Sequence, residues 1–230
     1  LLQQIDAVLA AGEHLQQVAR AGAVAFGGEL RLGVPASLGP YLLPHLIEPF
    51  PQYFPGARLG LSEGKPRGLL RRLHEGELDA VLAPPAPAVS GIAMRPLFVE
   101  PWELMLRADH PLAGQGSIAL AQLDPAEATL MAESHADGLG GGSEHGHVQD
   151  VSLESLAALV SLRGGYALVP ALAHERLGSM PNIVLARLKG QASGREIALY
   201  WRDASPWHDD LQAFAELLRK LARQRPGLRV

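Results

Sequence analysis

The chain has 230 residues, 47% of them hydrophobic, which is enough to bury the core of one domain or of two small ones. Its 20 Lys and Arg against 24 Asp and Glu leave a formal charge of -4, which excludes a global basic footprint for gripping nucleic acid. It contains no cysteine, so disulfides, thiolate metal sites and thiol chemistry are excluded for the chain as it stands.

Leu1, Leu2, Ile5, Val8, Leu9, Leu15 and Val18 recur at three- and four-residue steps with polar residues between them, predicting an amphipathic helix that ends at Gly27 and Gly28. The first residues, Leu1-Leu2-Gln3, fall inside that pattern without a methionine, so the expectation is a longer parent with an upstream segment. Residues 30–34 read as a strand, followed by a Pro/Ser/Gly turn and a helix through Leu42, Leu43, Leu46 and Ile47. Strands at 57–62 and 78–83 enclose a helix at 66–73, and this alternation predicts an α/β fold with a parallel sheet covered on both faces. After Pro84-Pro85-Ala86-Pro87, strands fit residues 92–98 and 103–107. A second unit follows, with a strand at 129–132, a Gly- and His-rich loop at 134–147, a helix at 152–161 and a strand at 166–170. Residues 197–201 read as a strand again, and Leu211, Phe214, Leu217, Leu218 and Leu221 mark a closing helix.

Several chemistries find no support. The glycines from Gly138 to Gly142 lack the Gly-Lys-Ser/Thr ending of a phosphate loop, and no Gly-x-Gly-x-x-Gly links a strand to a helix, so no nucleotide cofactor is expected. No serine sits in a Gly-x-Ser-x-Gly elbow and no catalytic set is complete, so no enzyme is expected. His135, His145 and His147 with Glu144 and Asp150 match no metal-ligand spacing, and a solvated loop is the plainer reading. Arg67, Arg71 and Arg72 read as a solvated helix face, and Trp201 and Trp207 as packing residues. No apolar run reaches the roughly 18 residues that span a bilayer, and Leu1 to Asp6 lack the basic start of a secretory signal. The expectation is a soluble cytoplasmic protein with no membrane partner.

In order and spacing, the segments Leu30-Arg31-Leu32-Gly33, Leu42-Leu43-Pro44, Phe54-Pro55, Leu61-Ser62-Glu63-Gly64, Gly76-Glu77-Leu78-Asp79, Pro96-Leu97, Asp109-His110-Pro111-Leu112 and Leu168-Val169-Pro170 resemble the regulatory domain of LysR-type transcriptional regulators. The resemblance covers about residues 28–225, and residues 1–27 resemble the end of that family's linker helix. It implies two Rossmann-like lobes joined by two crossover strands, as in periplasmic binding proteins, with an effector sensed between them. Lobe I would take residues 28–99 and 199–230, and lobe II residues 100–198. The family's N-terminal winged helix-turn-helix is absent from this sequence, so DNA would be reached only through that missing domain. A homodimer or homotetramer is implied as well.

Ser37-Leu38-Gly39-Pro40-Tyr41-Leu42-Leu43-Pro44-His45, Ser152-Leu153-Glu154-Ser155-Leu156 and Pro170-Ala171-Leu172-Ala173 are similar to the peroxide-responding OxyR branch. In that branch a reactive cysteine follows a histidine, and counting from Asp109-His110-Pro111 puts the pair at His135-Ala136. Alanine stands where the thiol is expected, either as a Cys-to-Ala substitution that holds a reduced-like state, which is favoured, or in a homologue that senses something else. The resemblance implies a hydrogen peroxide pocket formed by Ser37, His135 and Arg202, while a further family threonine falls near Pro66, so that its contribution is lost or relocated. Ser37 also reads as a helix N-cap, His135 as a loop histidine and Arg202 as a surface salt-bridge residue. The alternative function is a regulatory domain that binds a small organic effector in the cleft between the lobes.

Overall fold

The computed structural model describes residues 24–87, 89–131, 147–149, 151–189 and 194–230. In chain order the strands are β1 (Glu29–Pro35), β2 (Arg58–Gly64), β3 (Ala80–Ala83), β4 (Ile92–Arg107), β5 (Ser117–Ala119), β6 (Thr129–Met131), β7 (His147–Gln149), β8 (Tyr166–Pro170), β9 (Ile183–Lys189) and β10 (Gly194–Arg202). The helices are α1 (Gly39–Ile47), α2 (Phe50–Tyr53), α3 (Pro66–His74), α4 (Leu153–Arg163), α5 (His174–Gly178) and α6 (His208–Arg223), with short 3-10 turns between. The chain divides into two α/β units, and it passes from one to the other inside β4, at Phe98/Val99, and back inside β10, at Arg195/Glu196.

The first unit holds the described residues up to Phe98 together with Glu196–Pro226 and Val230. Its sheet grows from β1, whose buried run Leu30, Leu32 and Val34 lets it accept parallel neighbours on both edges. β2 pairs along the whole strand from Glu29↔Arg58 to Pro35↔Gly64, and β3 pairs at Leu32↔Ala80 and Gly33↔Val81. β10 then closes antiparallel on β3, with Tyr200 opposite Val81 and Trp201 opposite Ala80. Leu69 and Leu73 of α3 bury against Leu78, Val81, Ala83, Ala198 and Tyr200 on one face.

Four aromatic rings form a second packing centre in this unit. Phe214 of α6 meets Phe26, Phe50 and Phe54 edge-on, with centroids 6.0 to 6.4 Å apart, a geometry that adds to the burial of their apolar area. Phe26 sits at φ 54, the left-handed region that a bulky residue seldom adopts. Its N–H donates to the Asp210 carboxylate at 3.0 Å, and its buried ring offsets the backbone cost. Asp209 and Asp210 lie in the first turn of α6 and Lys220 and Arg223 in its last, complementing the helix dipole at both ends.

The second unit runs from Val99 to Arg195 and adds Gly227–Arg229. Here β4 is flanked by two antiparallel partners, β8 from Trp102↔Pro170 to Leu106↔Tyr166 and β9 from Glu103↔Arg187 to Arg107↔Ile183, and β5 joins β9 in parallel. Trp102, Leu104, Leu106, Ile118, Tyr166, Leu168 and Ala186 fill its core. The Asp109-His110-Pro111 motif forms the turn after β4. His110 Nδ1 accepts the Leu112 N–H at 3.1 Å, which leaves Nε2 to face Glu127 at 3.4 Å. Gly165 must be glycine, because at φ +76 a Cβ would stand 2.2 Å from the Glu127 carbonyl oxygen. Ser152 caps α4 by accepting the Ser155 N–H at 3.2 Å.

At the crossover a charge pair is fully buried. Arg195 Nε donates to Glu100 Oε2 at 2.8 Å, and the second carboxylate oxygen accepts the Leu172 N–H at 2.9 Å. The guanidinium also lies 5.7 Å from the centroid of the Trp102 ring.

The structure departs from the sequence reading in β4 and in five further elements. The two strands read at 92–98 and 103–107 are one, β4, because a proline forfeits a ladder donor without bending extended backbone, and the strand runs through Pro96 and Pro101. α2, β5, β7, α5 and β9 have no counterpart in the sequence reading, and β7 begins at His147, where a loop is read. The helix pattern at residues 1–23 lies outside the described residues.

Phe214→Ala should lower the stability of the first unit by about 3–5 kcal/mol, since three rings lose their common partner; the urea midpoint measures it. Glu100→Gln should cost about 3–5 kcal/mol by removing the buried carboxylate that the Arg195 guanidinium pairs with. The double variant Glu100→Leu, Arg195→Met should recover most of that loss in the same unfolding experiment.

Candidate functional site

The C-terminal end of β1 delivers the turn that carries Ser37. Leu38 N–H donates to the Pro35 carbonyl at 2.9 Å, and the chain then enters α1, with Pro40 in its first turn. A proline fits there because the first N–H groups of a helix have no partner within it. The N-cap position belongs to Leu38, which contributes no side-chain cap, so Ser37 stands one residue ahead of it. Ser37 is therefore not the N-cap residue of α1; its side chain is buried and makes a contact of its own.

Arg202 occupies a different place. It ends β10, beyond Trp201, which pairs with Ala80, the first residue of β3. There Nη1 donates to the Leu73 and Leu78 carbonyls at 2.7 and 2.6 Å, while Nη2 lies 3.9 Å from Asp79 Oδ1. Asp79 is itself buried and takes Arg31 by its backbone N–H at 2.8 Å, by Nε at 3.0 Å and by Nη2 at 2.8 Å. Burial pulls the Arg202 guanidinium below its ordinary pKa, the Asp79 charge opposes that pull and Arg31 adds to it. The four residues from Arg31 to Pro35 span about 13 Å of strand, so the structure does not bring Arg202 together with Ser37. The alternative for Arg202, a surface salt-bridge residue, fits only in part: the guanidinium is mostly buried, its short bonds go to carbonyls and its carboxylate neighbour lies 3.9 Å away.

His135 and Ala136 lie outside the described residues, as do Gly138 to Gly142, Ser143, Glu144, His145 and Asp150. Their flanks are placed: β6 ends at Met131, β7 begins at His147, and the two strands pair in parallel from Thr129↔His147 to Met131↔Gln149. Ala128 bridges to Tyr166 just before β6. Pro66, at the position of the lost threonine, opens α3.

The buried pair of Arg195 and Glu100 was not singled out by the sequence reading. A signal existed, since Glu100 interrupts an otherwise apolar stretch between Val99 and Trp102 and Arg195 precedes the apolar run Ile197 to Trp201. Tyr200 ties down the Pro-rich stretch: its hydroxyl donates to the Pro84 carbonyl at 3.1 Å and accepts the Ala86 N–H at 2.9 Å. Burial raises the Tyr200 pKa, so the hydroxyl keeps its proton for that bond. Among the described residues no cluster of His, Asp and Glu is arranged to hold a metal ion, and no helix is long and apolar enough to cross a membrane.

Comparison with known proteins gives a consistent answer. The LysR substrate binding domain family matches residues 25–223. The DNA-binding transcriptional dual regulator OxyR of Escherichia coli (strain K12) is 30% identical over 227 residues, covering 95% of this chain and 74% of that protein. The hydrogen peroxide-inducible genes activator of Haemophilus influenzae is 28% identical over 214 residues, covering 90% of this chain and 71% of that protein. Among solved structures, the reduced form of OxyR superposes with a TM-score of 0.77 at 30% identity, covering 84% of this chain and 95% of that one. The reduced OxyR regulatory domain of Pseudomonas aeruginosa gives a TM-score of 0.76 at 26% identity, covering 84% and 97%. The chain therefore belongs to the LysR substrate binding domain family, as a LysR-type regulatory domain with OxyR-like relatives.

Proposed function

We propose that this regulatory domain is the sensing half of a DNA-binding transcriptional regulator of the hydrogen peroxide-responding kind, with alanine at the position of the sensing cysteine. The observation that carries the reading is the likeness to regulators named for hydrogen peroxide, which extends over 95% of the chain. Ser37, buried in a turn at a strand end, is proposed as the first pocket group. His135 is proposed as the second pocket group, beside position 136. Arg202, committed to the Leu73 and Leu78 carbonyls, serves the frame of the first unit.

With cysteine at 136 the chemistry is a two-electron oxidation. The thiolate attacks one peroxide oxygen, the O–O bond breaks, and the departing hydroxide takes a proton to leave as water. The cysteine becomes a sulfenic acid and the peroxide is reduced. With alanine there, the domain stays in its reduced-like arrangement. The proposed regulator works in the cytoplasm as a homodimer or homotetramer and reaches DNA through a winged helix-turn-helix preceding this sequence.

The absence of any cysteine favours a second reading, a LysR-type regulatory domain that binds a small organic effector. Calorimetry with a panel of small metabolites separates the two, since micromolar binding of one of them would support the effector reading.

Ala136→Cys should produce a thiol that hydrogen peroxide converts to a trappable sulfenic acid at least about tenfold faster than it converts free cysteine, equivalent to about 1.4 kcal/mol in the barrier. Ser37→Ala in that background should slow the reaction roughly tenfold if the hydroxyl steadies the bound peroxide. Stopped-flow trapping with mass spectrometry reads both. A rate equal to that of free cysteine overturns the peroxide reading.

A further inference from the structure

α6 ends at Arg223, and its last turn is closed by Gln224 N–H on the Leu221 carbonyl at 3.1 Å and Arg225 N–H on the Ala222 carbonyl at 3.0 Å. Pro226 has no N–H to carry the helix on, and Gly227 turns the chain aside at φ +89, which glycine adopts at no steric cost. Here the chain leaves the first unit for a second time, since Pro226 belongs to the first unit and Gly227–Arg229 to the second. Val99 and Arg229 then exchange both backbone bonds: Val99 N–H donates to the Arg229 carbonyl at 2.7 Å, and Arg229 N–H donates to the Val99 carbonyl at 3.0 Å.

Val99 is the residue at which β4 enters the second unit. Adjacent residues of a strand bond to opposite sides, so the tail takes both backbone polar groups of Val99 and leaves Glu100 to the other edge. On that edge β10 approaches closely, because a Cβ on Gly194 would stand 2.6 Å from the Glu100 carbonyl oxygen. The Glu100 carboxylate in turn holds the buried Arg195 guanidinium and the Leu172 N–H. The tail itself is lightly held: Pro226, Gly227, Arg229 and Val230 are exposed and Leu228 is half-buried. Little apolar burial therefore opposes its opening.

We propose that residues 227–229 are a releasable clamp on the crossover. Docked on Val99, they fix the β4 backbone beside Glu100 and so keep that carboxylate aligned with Arg195 and Leu172. Released, they give Val99 to water, and the crossover loosens through the buried pair. The clamp follows directly from the end of α6, so a rearrangement there becomes a change of stiffness where β4 passes between the units. It is independent of which effector the domain senses.

The test is hydrogen exchange followed by NMR on the whole chain, with the Val99 amide, the Leu172 amide and the Arg195 Nε–H as reporters. Gly227→Val places its Cβ in open space and is penalised only by the positive φ. Arg229→Pro removes the N–H that donates to Val99. Each variant should speed exchange at Val99, and the double variant should do so at least roughly tenfold, the scale of a lost backbone bond. Leu172 and Arg195 should follow in the same direction. The amides of Asp79, bonded to the Arg31 carbonyl, and Ala108, bonded to the Asn182 carbonyl, should keep their rates. An unchanged Val99 rate in the double variant overturns the clamp. So does a faster Val99 with Leu172 and Arg195 unchanged, which would reduce the bridge to a local contact.

Discussion

Taking a carboxylate out of water is costly unless donors replace the lost hydration, and each unit meets that demand once at a position that fixes its chain path. In the first unit, Asp79 is buried at the start of β3 and is held by three donors of Arg31 on β1. Because one donor is the Arg31 backbone N–H, the bond sets where β3 begins relative to β1 as well as balancing charge. In the second unit, Glu100 binds Arg195 and the Leu172 N–H, and so ties β4 to β10 and to the segment just after β8. Both carboxylates hold strands that are far apart in sequence, which local propensity alone cannot bring together.

The elements legible in the sequence were those with a periodic signal and a clear stop. β1, β3, β8 and α6 announced themselves through apolar runs or a helical face, and α4 through Ser152 at its cap. β9 was legible in principle, since Pro181-Asn182 precedes Ile183-Val184-Leu185-Ala186, but its pairing depends on β4, more than seventy residues earlier. α5 has five residues and β5 three, too short for any periodicity to show. The break expected near Pro101 shows the opposite limit: a residue that usually ends a strand lies inside one, just ahead of the residues from Glu103 to Leu106 that are paired on both edges.

The candidate site was legible in part, and for a physical reason. Ser37 stood out because a hydroxyl at a strand-to-helix turn is a recurring local arrangement, although its offset of one residue from the cap position became visible only with backbone geometry. Arg202 and Arg195 are seven positions apart on the same strand, and sequence alone offers no way to say which guanidinium is buried at the crossover and which is spent on carbonyls at the far end of β10.

Phe26 gives the first unit a rigid mount. The residue is fixed by backbone conformation, by the bond to Asp210 and by three neighbouring rings, so its position is set at both the main chain and the side chain. A joint held at two points cannot swivel about a single bond. Loss of either hold alone, the Asp210 carboxylate or the Phe214 ring, therefore leaves the other to keep the turn before β1 on α6.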